Sequence, residues 1–188
     1  METTENLNKA AINNGLIIGI IGSVLGILPY YVAPSLMGSL WYGLGIGIIS
    51  LVIYIVLTFD LRKKIGGYWT FREALRGIFL MAFIAGIIVM IVNNLFFKLI
   101  EPGAFAKISG YVQEGLSSTF SKMGMNQDQI DIEVAKAVQR LKAQLDPGPK
   151  ELLIHLGVSV LIQFIMSLIF AAIFKKDPPI FAPTEEEE

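Results

Sequence analysis

Cysteine is absent from the 188-residue chain, which excludes disulfides, thiolate metal sites and a cysteine nucleophile. Histidine occurs once, at His155, so no pair of imidazoles can hold a metal. Neither a His-Glu-x-x-His, a Gly-x-Ser-x-Gly nor a phosphate-loop pattern is present. A basic excess is also missing: the net charge of −1 leaves nothing to neutralise a phosphate backbone, which argues against nucleic acid as a partner. Charge is scarce altogether, at 16% of residues, and none lies between Lys9 and Asp60. These absences predict a non-enzymatic chain with no catalytic residues, no metal and no cofactor.

What fills the space is apolar. Hydrophobic residues make up 54% of the chain and the mean hydropathy is +0.62, outside the range of soluble globular domains. The uncharged run, positions 10 to 59, is too long for one bilayer crossing, because about 20 apolar residues span the hydrocarbon core. It breaks at Pro29-Tyr30-Tyr31-Val32-Ala33-Pro34, where two prolines bracket interfacial aromatics. The first span is therefore expected over about Ala11 to Tyr30 and the second over about Ser35 to Phe59. Glu2 and Glu5 before the first span, and Pro34 where a signal peptidase would cut, predict a retained helix rather than a cleaved leader. Asp60-Leu61-Arg62-Lys63-Lys64 and Gly66-Gly67 form a short basic loop, whose cations suit anionic headgroups.

Thr70 followed by Glu73 predicts a capping box opening the third helix. Its uncharged part runs from Gly77 to Phe97 and is ended by Pro102-Gly103. The fourth span covers Leu152 to Phe174. No span carries an acidic residue at its middle, so the coupling carboxylate of many secondary transporters is missing. Trp41, Trp69, Tyr30, Tyr31 and Tyr68 are expected as interfacial anchors.

Residues 104 to 149 separate spans three and four and hold two apolar stripes. Phe105, Ile108, Val112, Leu116 and Phe120 recur at helical spacing, as do Ile130, Val134, Ala137, Val138, Leu141 and Leu145. Asn126 with Gln129 resembles a capping pair, acidic Asp128 and Asp131 come early, and Lys136, Arg140 and Lys142 come late, which suits the helix dipole. Pro147-Gly148-Pro149 stops the second helix. The organisation is thus one all-α membrane unit: residues 1–103 with three spans, 104–149 with an extracytoplasmic pair of amphipathic helices, 150–176 with the fourth span, and 177–188 as an acidic, disordered tail. The pair's apolar faces must be buried against each other, against the bilayer surface or against a partner. Ile130, Val134, Val138 and Leu141 form the candidate interaction face.

Within the spans, Gly15, Gly19, Gly22 and Gly26 form a narrow stripe, and Gly43 and Gly47 share a face of the second helix. Missing side chains let another backbone approach, within the chain or between copies. His155, Asn93, Asn94 and Gln163 are the intramembrane polar candidates. The amides suit interhelical hydrogen bonds, and His155 either contacts the loop and headgroups or relays protons or binds a ligand.

The segment Gly66-Gly67-Tyr68-Trp69-Thr70-Phe71-Arg72-Glu73-Ala74 is similar to the signature of a family of bacterial multi-pass membrane proteins of unknown function. The following span, Glu101-Pro102, the long helical loop and the last span resemble that family's layout. The resemblance implies the bacterial cytoplasmic (inner) membrane and supplies no catalytic residues. The expected function is a structural, assembly or accessory component. Its partners are the lipid bilayer and a second copy or another membrane protein bound through residues 104–149. The alternative is a small oligomeric transporter or channel.

Lys and Arg density near span ends sets orientation. Lys9, Arg62, Lys63, Lys64, Arg72, Arg76, Lys175 and Lys176 fall on one side, while the seven on the other are dispersed and matched by acidic neighbours. Both termini are therefore predicted to be cytoplasmic. A reporter active only in the cytoplasm should work when fused after Glu188 and fail when inserted at Gly124; the reverse pattern would invert the topology.

Overall fold

The computed structural model describes residues 2–177; the acidic tail ending in Glu185 to Glu188 lies outside the described residues. The fold is all-α. Helix α1 spans Glu2–Val32, a 3₁₀ turn covers Pro34–Gly38, and α2 spans Leu40–Lys64. Helix α3 spans Phe71–Leu95 and continues as a wider π-helical turn, Phe96–Ile100; α4 covers Ala104–Lys122, α5 Gln127–Leu145 and α6 Pro149–Phe174. Helices α1, α2, α3 with its π turn, and α6 are long and apolar enough to cross a membrane.

Local chemistry sets the boundaries. Thr70 and Glu73 form the full capping box: Thr70 Oγ1 accepts from the Glu73 amide, and the Thr70 amide donates to Glu73 Oε2 at 2.8 Å. Asn126 Oδ1 accepts from the Gln129 amide at 2.8 Å and starts α5. Pro149 occupies the first turn of α6, where a missing N–H removes no helical bond. Helix α1 runs through Pro29 to Val32. The break between the first two spans therefore falls at Ala33-Pro34, with the second proline opening the 3₁₀ turn.

Helix α3 is the central element. It packs along α1 on one side and against α6 on another, while α2 rests mainly on α1. The α1–α3 contact runs through the glycine stripe. A Cβ added at Gly15 would lie 2.7 Å from the Met81 carbonyl oxygen, and one at Gly19 2.7 Å from Ile88 Cβ. The clearance grows to 3.0 Å from Val89 at Gly22 and 3.3 Å from Asn93 Oδ1 at Gly26. Gly43 and Gly47 do not join this seam: nothing lies within 4 Å of a Cβ added at either. Helix α2 leans on α1 at its other end, so these glycines have no neighbouring backbone to admit.

Two buried clusters sit at opposite ends of the spans. The first gathers Leu7 and Ala11 of α1, Leu61 of α2, Trp69, Ile78 and Met81 around Phe170 and Ala171 of α6. The second joins Tyr30 and Phe97 at the far ends of α1 and α3 to Ile108, Val112 and Leu116 of α4 and Leu145 of α5. The structure thus brings residues 2–9, the 62–76 loop and Lys175–Lys176 to one end and α4–α5 to the other.

Trp69 departs from the expected interfacial anchor. It is 1% exposed, its Nε1 donates to the Phe174 carbonyl at 2.8 Å, and its backbone pairs with Lys176 through bonds of 2.9 and 3.1 Å. The indole buries its large ring and satisfies its one donor on the end of α6, locking the 66–70 loop to the last span. Tyr30 is likewise buried rather than interfacial. Trp41, at 79% exposure, stays on the outer surface of the helices.

The seam predicts graded damage. Gly15→Ala and Gly19→Ala should each lower stability by about 1–3 kcal/mol through overpacking, with Gly22→Ala and Gly26→Ala progressively milder. Thermal melts of the detergent-solubilised variants measure this, and equal melting temperatures across the series would refute the seam as a stabilising contact.

Candidate functional site: polar groups and clefts among the spans

In lipid, apolar surface supplies no drive for helices to associate, so polar side chains and close backbone contacts take on weight. Three polar groupings are placed by the fold.

At the loop 62–76 end, Asn14 is fully buried between α1 and α2. Its Nδ2 donates to the Leu57 carbonyl at 3.1 Å and to Asp60 Oδ2 at 2.9 Å. Lys64 Nζ donates to Asn14 Oδ1 at 3.2 Å and pairs with Asp60 at 2.6 Å. The cluster is internally satisfied, and it ties α1 to α2 where a buried amide left unpaired would be costly. Nearby, Tyr54 donates to the Ile78 carbonyl at 3.2 Å, tying α2 to α3.

At the opposite end Glu101 accepts from Tyr30 and Tyr31, at 2.8 and 2.9 Å. Lys107 of α4 stands 4.3 Å over the Tyr30 ring, a cation–π contact. These bonds join the end of α1 to the turn before α4.

The third grouping is a stripe on α6. His155, Ser159, Gln163 and Ser167 recur every four residues and so share one face. Gln163 Nε2 donates to Ser159 Oγ at 2.9 Å, and Ser167 Oγ donates to the Gln163 carbonyl at 2.7 Å. Gly86 of α3 leaves room for the Gln163 amide, whose Oε1 is buried without a hydrogen-bond partner. His155 is exposed and, with Ser159 and Gln163, borders a groove of about 410 Å³ between α3 and α6.

The expected interhelical amide bonds do not form. Asn94 Nδ2 turns back to the Met90 carbonyl of its own helix at 2.9 Å, the local partner that a helix always offers four residues earlier. Gln163 bonds within α6, and Asn93 Oδ1 is buried and unpartnered. At the span ends Lys64 donates to Asn14 and Arg62 to the Phe174 carbonyl. Within the apolar stretches, the side-chain bonds that cross between spans come from Asn14 and Tyr54 instead. Neither was picked out by sequence reasoning, although Asn14 is polar within an otherwise apolar run. The four-residue spacing on α6 was also legible, with Ser159 and Ser167 linking the two candidates already named.

The face of α5 is largely occupied. Ile130 is buried, Val134 and Leu141 pack against the cluster shared with α4, and Val138 is half-buried. On the exposed side, Lys136 bonds to Glu133 at 2.7 Å and holds its carboxyl below the usual range.

A cleft of about 320 Å³ opens where α2 leans away from α1 and α3. Leu25, Gly26 and Pro29 of α1, Ser39, Tyr42, Gly43 and Ile46 around the start of α2, and Asn93 and Phe97 of α3 form its walls, and Ile108, Leu141, Gln144 and Leu145 roof it. Among the described residues no set of His, Asp or Glu is grouped to hold a metal.

Four apolar helices joined in this way define a multi-pass helical membrane protein. The family described as protein of unknown function (DUF4199) matches residues 13–176, and the chain belongs to that family. No curated protein and no solved structure matches it.

Asn14→Leu removes all the amide contacts of the α1–α2 tie and leaves Asp60 with Lys64 alone. It is expected to lower stability by about 1–3 kcal/mol, whereas Asn94→Leu should cost less than 1 kcal/mol. Equal unfolding midpoints for the two variants would refute this ranking.

Proposed function

We propose that the protein is a non-enzymatic assembly or accessory component of the bacterial cytoplasmic membrane, docking a second copy or another membrane protein on the outer part of α2. The carrying observation is the open glycine face of that helix. Glycine within a helix costs about 1 kcal/mol relative to alanine, and at Gly15 and Gly19 close packing against α3 offsets the cost. At Gly43 and Gly47 nothing within the chain does so, since no atom lies within 4 Å of an added Cβ. A helix from another chain, seated as α3 is seated on α1, supplies the missing contact. Exposed Leu44 and Ile48 beside them carry no such weight, because lipid solvates them well.

The orientation that fits this reading has both termini cytoplasmic and α4–α5 extracytoplasmic. The end bearing the 62–76 loop collects eight Lys and Arg residues close to the span ends, whereas the seven at the α4–α5 end are spread over positions 98 to 150. That asymmetry has the sense of the positive-inside rule. A second reading, transport through an oligomer, is favoured by the His155–Ser159–Gln163 stripe along a lipid-facing groove; it requires solute flux in proteoliposomes that falls on substitution of Gln163, Asn93 or His155.

Native mass spectrometry from mild detergent tests the assembly reading. The 20.7 kDa chain is expected in a larger complex that Gly47→Leu dissociates while leaving the melting temperature of the isolated chain unchanged. A monomer from native membranes, or a complex indifferent to Gly47→Leu, would overturn it.

A further inference from the structure

The cleft between α1, α2 and α3 has the makings of a ligand site. Its volume, about 320 Å³, is near the lower end of small-molecule sites, which run from roughly 300 to 1,000 Å³. It therefore suits one apolar chain better than the paired chains of a phospholipid. Its walls are apolar side chains from three spans, and α4 and α5 close it from above. Asn93 lies seven residues before the end of the π turn, roughly 10 Å along the helix, so the cleft sits at the depth of the upper acyl chains.

Two features restrict the chemistry. No charged side chain lines the cleft among the described residues. Placing a phosphate, carboxylate or ammonium there would strip its hydration with no counter-charge in return, at a cost of several kcal/mol. The polar groups present are Ser39, Tyr42, Asn93 and Gln144, and Asn93 is the informative one. Its Oδ1 is buried with no hydrogen-bond partner, lying against Gly26, where an added Cβ would be 3.3 Å away. A buried amide oxygen without a partner carries a penalty of about 1–3 kcal/mol, which a ligand donor would remove once the half-buried amide turns about its last torsion to present the oxygen to the cleft. A hydroxyl both donates and accepts, so it satisfies the amide in either orientation about its last torsion.

We propose that this cleft binds an uncharged single-chain amphiphile bearing a hydroxyl headgroup, of the monoacylglycerol class, with the hydroxyl at Asn93 and the chain between Leu25 and Ile46. Entry is lateral, past Gly43, where the missing side chain keeps the gap between α1 and α2 open. The cleft shares Gly43 with the proposed docking face, whereas Gly47 belongs to that face alone and does not line the cleft, so Gly47→Leu should leave labelling of the cleft unchanged.

The test uses the full chain in phosphatidylcholine nanodiscs and a monoacylglycerol with a diazirine in its acyl chain. Photolabelled residues are mapped by mass spectrometry. Labelling should concentrate at Leu25, Ile46 and Leu145. Asn93→Leu should reduce it roughly 2- to 10-fold, the loss of one hydrogen bond, while leaving a hydroxyl-free alkyl diazirine probe unaffected. Gly43→Leu fills the entry at a position with open space around it, so it should abolish most labelling at an unchanged melting temperature; it carries the test if Asn93→Leu fails to fold. Labelling spread evenly onto lipid-facing Ile48 and Ile165 would overturn the site. So would a phosphatidylglycerol diazirine probe labelling the cleft as strongly, or cleft labelling that neither variant reduces.

Discussion

The contact between α1 and α3 is the constraint on which the rest depends. Inside a bilayer, lipid tails solvate leucine and isoleucine as well as a neighbouring helix does, so two spans gain by association only where they approach closely enough for dense van der Waals contact. Gly15 and Gly19 permit that approach: side chains there would collide with the Met81 carbonyl and with Ile88. With α1 seated, α3 has its other flank free for α6, and Gly86 admits Gln163 there. Helix α2 meets α3 near the loop 62–76 end, where Leu61 packs against Gly77, and polar ties reinforce it there.

Those ties are unevenly distributed, and the shape of the molecule follows. At the loop 62–76 end, Asn14, Asp60 and Lys64 join α1 to α2, while Trp69 and Lys176 join the loop to α6. At the other end the glycine stripe loosens from Gly19 to Gly26 and α2 leans away, with Gly43 and Gly47 facing no neighbour. Helices α4 and α5 compensate there. They pack on each other and onto Tyr30 and Phe97, while Glu101 and Lys107 hold Tyr30. The result is one end closed by direct ties and another closed by a roof, with a cleft beneath it. The docking face and the ligand site proposed for this protein both lie where α2 departs.

The spans, their number and most of their boundaries were legible because they rest on local physics. An uncharged run of fifty residues, positions 10 to 59, must turn back, and Thr70 with Glu73 caps a helix whatever surrounds it. The side-chain roles were less legible. Trp69 looks interfacial by composition yet is buried, because its indole finds the Phe174 carbonyl, more than a hundred positions away. Asn94 looks available to another helix yet satisfies itself four residues back.

What the sequence alone determined is the number of crossings, the helical character of residues 104 to 149 and the glycine stripe on α1, since each follows from hydrophobic length, periodicity and caps within a single segment. Only the tertiary structure decided which glycines meet a partner. Gly15 and Gly43 read alike in a helical pattern, but one faces the Met81 carbonyl and the other faces open space. The physical reason is that lipid tails reward no particular face of an apolar helix. Helix pairing is then set by a few polar bonds and close contacts between distant segments, and these exist only once the chain has folded.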